Sequence, residues 1–221
     1  MTLPPPSPDI RPELAHCNTM RFQLASAGAG SIPALVASWN ETPHLRHGVV
    51  VTFGIMLWYV DNTDRSLPPE ARVIARRFLL RSAVAEERWL RQAFVEAADW
   101  SNDPTYLPLV LQIDPLNATA RKLEGELVVI AAGDLFRRLC EQWEAMGSEA
   151  WVTDAGLQRS AALALGTAGN ALSEDEVRTA RAALTALTVN LGAARGRGMR
   201  TEGYDVMKCG IEALSGRLGA N

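Results

Sequence analysis

The chain has 221 residues, of which 48% are hydrophobic and 21% are charged, and its formal net charge is −3. This length suits one domain, or one and a half, with a sizeable single core. The near-neutral charge gives no general attraction to nucleic acid or to an anionic membrane, so we predict neither as a partner.

The basic residues and the cysteines bear on where the protein works. Lys122 and Lys208 are the two lysines among 22 basic residues, a bias that a GC-rich genome explains. Avoidance of ubiquitin tagging by a secreted effector is the alternative. Cys17, Cys140 and Cys209 form no C-x-x-C pair, which fits reduced thiols. We therefore predict a cytoplasmic bacterial protein, with export as an effector as the alternative.

The start of the chain is rich in proline. Five prolines fall within the first twelve residues, and no apolar run suited to a signal peptide is present. The composition predicts a disordered tail over residues 1–12. A single helical domain is predicted for 13–221, with a soft boundary near 102–114.

The first half of the domain contains one strongly apolar segment. A helix is predicted over 13–26, and Ser31 is suited to cap a short helix ending near Trp39. Thirteen uncharged residues then run from Gly48 to Val60, too few to span a bilayer but suited to a buried central helix. A hairpin is the alternative, because Val49–Phe53 is rich in β-formers.

A long helix is predicted from Pro68 to about Ser101, since proline suits a first helical turn. It carries two apolar sides, so it is predicted to lie centrally or to face a partner. Its six arginines could form a basic patch, but acidic residues share the helix and Glu87 and Arg91 make a favourable pair, so a mixed solvated face is predicted. Its principal seam consists of Ala71, Ala75, Phe78, Ser82, Ala85, Trp89 and Ala93.

Further helices follow in the second half. Asp114-Pro115 resembles a helix start, and Gly133-Asp134 is suited to divide the stretch that reaches Met146. Thr153 or Asp154 is predicted to start a helix through Leu165, with a loop over 166–170. The run Ser173-Glu174-Asp175-Glu176 fits a capping box, and a final helix is predicted over 201–219.

These periodic seams each need a partner helix. Apolar residues also recur at helical spacing in three later segments: Leu116, Ala120, Leu123, Leu127 and Ile130; Val177, Ala180, Leu184, Leu187 and Leu191; and Tyr204, Met207, Ile211, Leu214 and Leu218. The predicted fold is all-α, an antiparallel multi-helix bundle of about six to eight helices.

Two groups of residues could hold a metal or an anion. His44 and His47 have one-turn spacing, while the segment from Asp61 through Asp64 to Arg65 could hold Mg²⁺ and a diphosphate. If 47–61 is a helix, its ends lie roughly 20 Å apart, so only the hairpin would unite the two groups. The ligand sets are incomplete, and no cofactor is predicted.

The sequence favours a non-enzymatic helical protein-interaction module of the bacterial accessory, immunity, chaperone or effector type. The expected partner is another protein or a homo-oligomer, because Trp and Arg are enriched at interface hot spots. The alternative is an all-α enzyme that binds a small ligand or Mg²⁺ and diphosphate near Asp61–Arg65. The predicted partner-binding residues are Arg72, Arg76, Trp89, Phe94 and Trp100.

Overall fold

The computed structural model of this chain describes residues 12–62 and 67–219, so the predicted tail falls almost wholly outside the described residues. The described part is helical, which confirms the all-α prediction, and it contains more helices than the six to eight expected. The α-helices are α1 Pro12–Ser26, α2 Ile32–Glu41, α3 Arg46–Asn62, α4 Pro69–Ala83, α5 Arg88–Ser101, α6 Leu107–Ile113, α7 Ala118–Val129, α8 Ala132–Ser148, α9 Ala155–Ser173, α10 Val177–Ala194 and α11 Thr201–Arg217.

The uncharged segment Gly48–Val60 lies within α3, so it is a helix and not a hairpin. Val50, Val51 and Phe53 have no exposed surface. The helices α1, α4 and α5 pack against α3, which explains why it can be apolar on every side. No helix in the described ranges is long and apolar enough to cross a membrane.

Helices α3 and α5 approach so closely that only glycine fits between them. A Cβ on Gly54 would lie 2.7 Å from the Cα of Ala97 and closer still to its carbonyl oxygen. Because these are backbone atoms, the helices would have to separate to admit a methyl group.

We expect Gly54→Ala to lower the free energy of unfolding by about 2 to 3 kcal/mol, because overpacking outweighs the gain in helix propensity. Denaturant unfolding followed by circular dichroism measures the change. Gly48→Ala in the same helix is the control, since the nearest atom to its Cβ is 3.9 Å away, and it should be neutral or slightly stabilising. Equal stability of the Gly54→Ala variant and the wild type would contradict the close crossing.

The predicted long helix over 68–101 is two helices, α4 and α5, separated by a turn at Val84–Glu87. Glu87 is extended, with φ −71° and ψ 118°, so the helical backbone is interrupted there. The two apolar sides expected of one helix are therefore the buried faces of two helices that pack on each other. This division is one source of the excess in helix number.

The ends of the later helices differ in part from those predicted. Asn117, rather than Asp114, caps α7 by accepting from the Thr119 amide. Leu116 lies in the preceding turn and is 87% exposed, so it does not extend the buried seam. Asp154 caps α9 as predicted, its Oδ1 lying 2.9 Å from the Leu157 nitrogen.

Helix α9 runs through the predicted loop over 166–170 and ends at Ser173. The buried seam that holds it helical consists of Leu157, Ala161, Leu165, Ala168 and Ala171. Ser173 therefore closes α9 instead of capping α10, and Glu176 stands at the N-cap of α10 with no side-chain bond. Burial of the seam outweighs the poor helix propensity of the glycines. The short turn at 174–176 makes α9 and α10 an antiparallel helix hairpin.

Candidate functional site

A buried ion network joins α4, α8 and the 3₁₀ turn Pro104–Tyr106. Its centre is Arg76 on α4, which is 1% exposed. Arg76 Nη1 donates to Asp103 Oδ2, and Arg76 Nε donates to Glu141 Oε2 at 2.9 Å. Guanidinium groups suit such sites because their planar fork satisfies two carboxylates at fixed angles.

Asp103 serves both the ion network and the local backbone. Its Oδ1 accepts from the Thr105 amide at 3.0 Å and from the Thr105 hydroxyl at 2.8 Å. Burial alone raises the pKa of Asp103, but Arg76 and then Arg138 oppose it, and the resulting pKa is about 2. The carboxylate is therefore ionised at neutral pH.

Glu141 on α8 receives three arginines. Arg72 Nε lies 2.6 Å and Arg137 Nη1 lies 3.0 Å from its Oε1, in addition to the bond from Arg76. Burial raises the pKa of Glu141, but these charges, with Arg76 the strongest, bring that pKa below its ordinary value. Both buried carboxylates are thus paired, which is the condition for burying charge at all.

The neutral members of the network do not titrate near neutral pH. The Tyr106 hydroxyl lies 3.4 Å from Arg76 Nη1, and burial raises its pKa to about 12. Gln142 Nε2 donates to the Thr105 hydroxyl at 3.1 Å. A proton-transfer role needs a pKa near the working pH. Tyr106 lacks one, and a glutamine amide does not titrate, so these neutral groups are not suited to proton transfer.

A second ion cluster joins α4 to the end of α8. Arg77 Nε and Arg81 Nε each lie 2.9 Å from the Glu149 carboxylate. The guanidinium of Arg81 also lies over the Phe78 ring, 5.2 Å from its centroid. The arginines of α4 are therefore bound to carboxylates of the same chain, which corrects the prediction of a simply solvated face. Arg91 on α5 donates instead to the backbone carbonyls of Ala85 and Glu86, in the turn between α4 and α5.

The residues predicted to bind a partner do not form one surface. Arg76 and Phe94 lie in the interior, Phe94 with no exposed surface, so we correct their assignment to a partner-binding surface of the monomer. Arg72 is half-buried against Glu141, and Trp100 is half-buried against Phe22, with ring centroids 5.1 Å apart. Trp89 remains at the surface, 42% exposed.

The predicted metal or anion residues are also separated. His47 Nε2 lies 2.8 Å from Glu96 Oε2, while His44 is in the exposed 3₁₀ turn before α3. Asp61 is fourteen residues beyond His47 on the same helix, about 21 Å away at 1.5 Å per residue. Asp64 and Arg65 lie outside the described residues. Within the described ranges, no cluster of three or more acidic, histidine or cysteine residues could hold a metal.

On its other side, α8 forms an open groove with α9. The groove has a volume of about 730 Å³ and includes Phe136 and Trp143 of α8 and Gly166 and Gly169 of α9. Cys140 also lines it, and burial followed by the charge of Glu141 raises the pKa of this thiol to about 11. Cys140 is thus a protonated thiol at neutral pH and not an activated nucleophile.

The outer side of α9 and α10 is exposed and carries no charged residue in its central part. No Asp, Glu, Lys or Arg occurs over 160–173 or 182–194. Leu163 is 73% exposed and Val189 is 66% exposed. We define the hairpin face as six exposed residues, Leu163, Gly166, Thr167, Ala182, Ala186 and Val189. The sequence signal for it was the absence of charge in two successive helical segments.

Comparisons with known proteins do not assign the chain to a family. No family model, no curated protein and no solved structure matches it. Function is therefore argued from the chain's own surfaces. The groove and the hairpin face share α9, so together they form one continuous candidate site for binding.

Proposed function

We propose that this chain is a non-enzymatic helical protein-interaction module, of the accessory, immunity, chaperone or effector type, that binds a protein through the hairpin face. The observation that carries the proposal is the exposure of Leu163 and Val189 within two uncharged helical segments. Isolated exposed apolar side chains are ordinary, but an extended uncharged helix surface is typical of a binding site.

The composition of the hairpin face suits burial by a partner. Charged residues are depleted at the centres of protein interfaces because their desolvation is costly. Alanine and glycine lose almost no side-chain freedom when they are covered. Leu163 and Val189 supply the apolar area that association would bury.

The ion network supports this proposal indirectly. It fixes α8 against α4, and α8 in turn forms one wall of the groove beside α9. A surface that is already rigid loses less freedom on binding, which favours affinity. The network is thus interpreted as scaffolding for a binding surface and not as an active site.

Affinity capture from the native cell, followed by mass spectrometry, tests the proposal. We expect Leu163→Glu to abolish capture of the partner because it introduces an unpaired charge at the interface centre. Val128→Glu is the matched control, since Val128 is 77% exposed on α7 and lies outside the hairpin face. Identical capture by the wild type and Leu163→Glu would contradict the proposed surface.

A further inference from the structure

The α9–α10 hairpin has charges of opposite sign at its two ends, on either side of the hairpin face. The turn end carries Glu174, Asp175 and Glu176, all exposed, with Arg178 and Arg181 following on α10. Arg181 lies against Gly219, after the C-terminus of α11. Acidic side chains therefore dominate the tip of the hairpin itself.

The open end of the hairpin carries exposed arginines. Arg159 lies in the early part of α9, and Arg195, Arg197 and Arg200 follow α10. Arg195 is paired with Asp205 at 3.1 Å and Arg200 with Glu202 at 3.6 Å. Arg159 and Arg197 are exposed, and the capping Asp154 lies against Gly198 at the same end of the hairpin. They are separated from the acidic tip by the uncharged stretch, about 22 Å along α9 at 1.5 Å per residue.

We propose that the hairpin face binds a second copy of this chain, with the two hairpins packed antiparallel across a two-fold axis. This proposal rests on the proposed function and names its partner. A two-fold interface places the same surface on both partners. A charged centre would therefore repel its own copy, whereas an uncharged centre is compatible with itself.

The end charges select between the two face-to-face arrangements. A two-fold axis along the helices would place the acidic tips side by side, and like charges so placed are unfavourable. A two-fold axis that lies in the interface and runs perpendicular to the helices places each acidic tip beside Arg159 and Arg197 of the other copy. The antiparallel arrangement makes a four-helix bundle from two hairpins, a packing that helices adopt readily.

The outer side of the whole hairpin, with the hairpin face at its centre, is adequate in size for such a dimer. Helix α9 has 19 residues and α10 has 18, so the hairpin is about 28 Å long, and two adjacent helices are about 20 Å wide. The flat projection is about 560 Å². Because side chains project from this surface, its accessible area is larger than the flat projection and approaches the roughly 800 Å² per partner of a standard interface.

Sedimentation velocity of the full chain over a range of concentrations tests the dimer. We expect a dimer for the wild type, and Leu163→Glu with Val189→Glu should raise its dissociation constant at least about a hundredfold, because like charges meet across the axis. Val128→Glu is the control and should leave the dimer unchanged. A wild type that is monomeric throughout, or a double variant that dimerises normally, would overturn the proposal.

Charge reversal tests the antiparallel arrangement. Glu174→Arg with Glu176→Arg should weaken the dimer, as should Arg159→Glu with Arg197→Glu, while all four changes together should restore it. A quadruple variant that stays weak would reject the antiparallel dimer. If the chain is monomeric but capture of another protein still depends on Leu163, the dimer fails and the proposed function stands. If capture is also independent of Leu163, both fail.

Discussion

We expect Arg76→Met to lower the free energy of unfolding by about 3 to 5 kcal/mol, because it leaves two buried carboxylates without their shared cation. Asp103 loses its principal partner, and Glu141 keeps Arg72 and Arg137 but loses the bond from Arg76. Methionine fills much of the same volume, so the effect reports charge and not a cavity. Urea unfolding at pH 7 measures the change.

The matched control is Arg77→Met, one residue further along α4. Arg77 also binds a carboxylate at 2.9 Å, but its side chain is 35% exposed. Solvent screens that pair, so its loss should cost less than about 1 kcal/mol. If Arg76→Met were as mild as the control, the network would contribute nothing to stability.

Arg76→Met should also change how the free energy of unfolding depends on pH in acid. The pKa of Asp103 is about 2 in the folded chain, below the ordinary value of 3.8. The stabilisation that this depression gives is fully present above the ordinary pKa and is lost as pH falls through the folded pKa. Asp103 therefore contributes about 2 kcal/mol that disappears between about pH 4 and pH 2. In Arg76→Met, protonation of Asp103 removes its unpaired negative charge. The difference in free energy of unfolding between the variant and the wild type should therefore narrow as the pH falls over this range.

Val51→Asp is the second large effect. Val51 has no exposed surface and lies in α3 among helices on several sides. A carboxylate at that position would be buried within the hydrophobic core, so the free energy of unfolding should fall by at least about 3 kcal/mol. Denaturant midpoints measure the loss, and Val51→Thr, which keeps the shape of valine, should lose less.

Two results would contradict the assignment of α3 to the core. One is a Val51→Asp protein as stable as the wild type, which would mean that the position is exposed. The other is recovery of the wild-type chain in the membrane pellet after cell lysis, which would mean that the apolar segment inserts into lipid. Either result would replace core packing with an insertion or binding role for Gly48–Val60.

The sequence allowed prediction of those helices whose signals are local. The signals for α3, an uncharged run, and for the cap at Asp154 come from residues that are close together in the chain. The continuation of α9 through Gly166 and Gly169 could not be predicted in this way. It depends on a buried seam, and burial is decided by helices that are distant in sequence.

The ion network was missed for a related reason. The spacing of Arg72 and Arg76 places them on one helix face, but their acceptors lie 27 to 69 residues away. A single sequence indicates that arginines are present without indicating which carboxylates they meet. The hairpin face has a more direct signal in the sequence than the ion network has, since long stretches without charge can be read from the sequence itself.

The two ion clusters along α4 and α8 also restrict how these helices can move. Arg72 and Arg76 bind Glu141, and Arg77 and Arg81 bind Glu149, eight residues further along the chain at the C-cap of α8. Sliding by one helical turn, about 5.4 Å, would break all four guanidinium contacts at once. A displacement of α8 caused by an occupant of the groove would therefore carry α4 with it as a single rigid body.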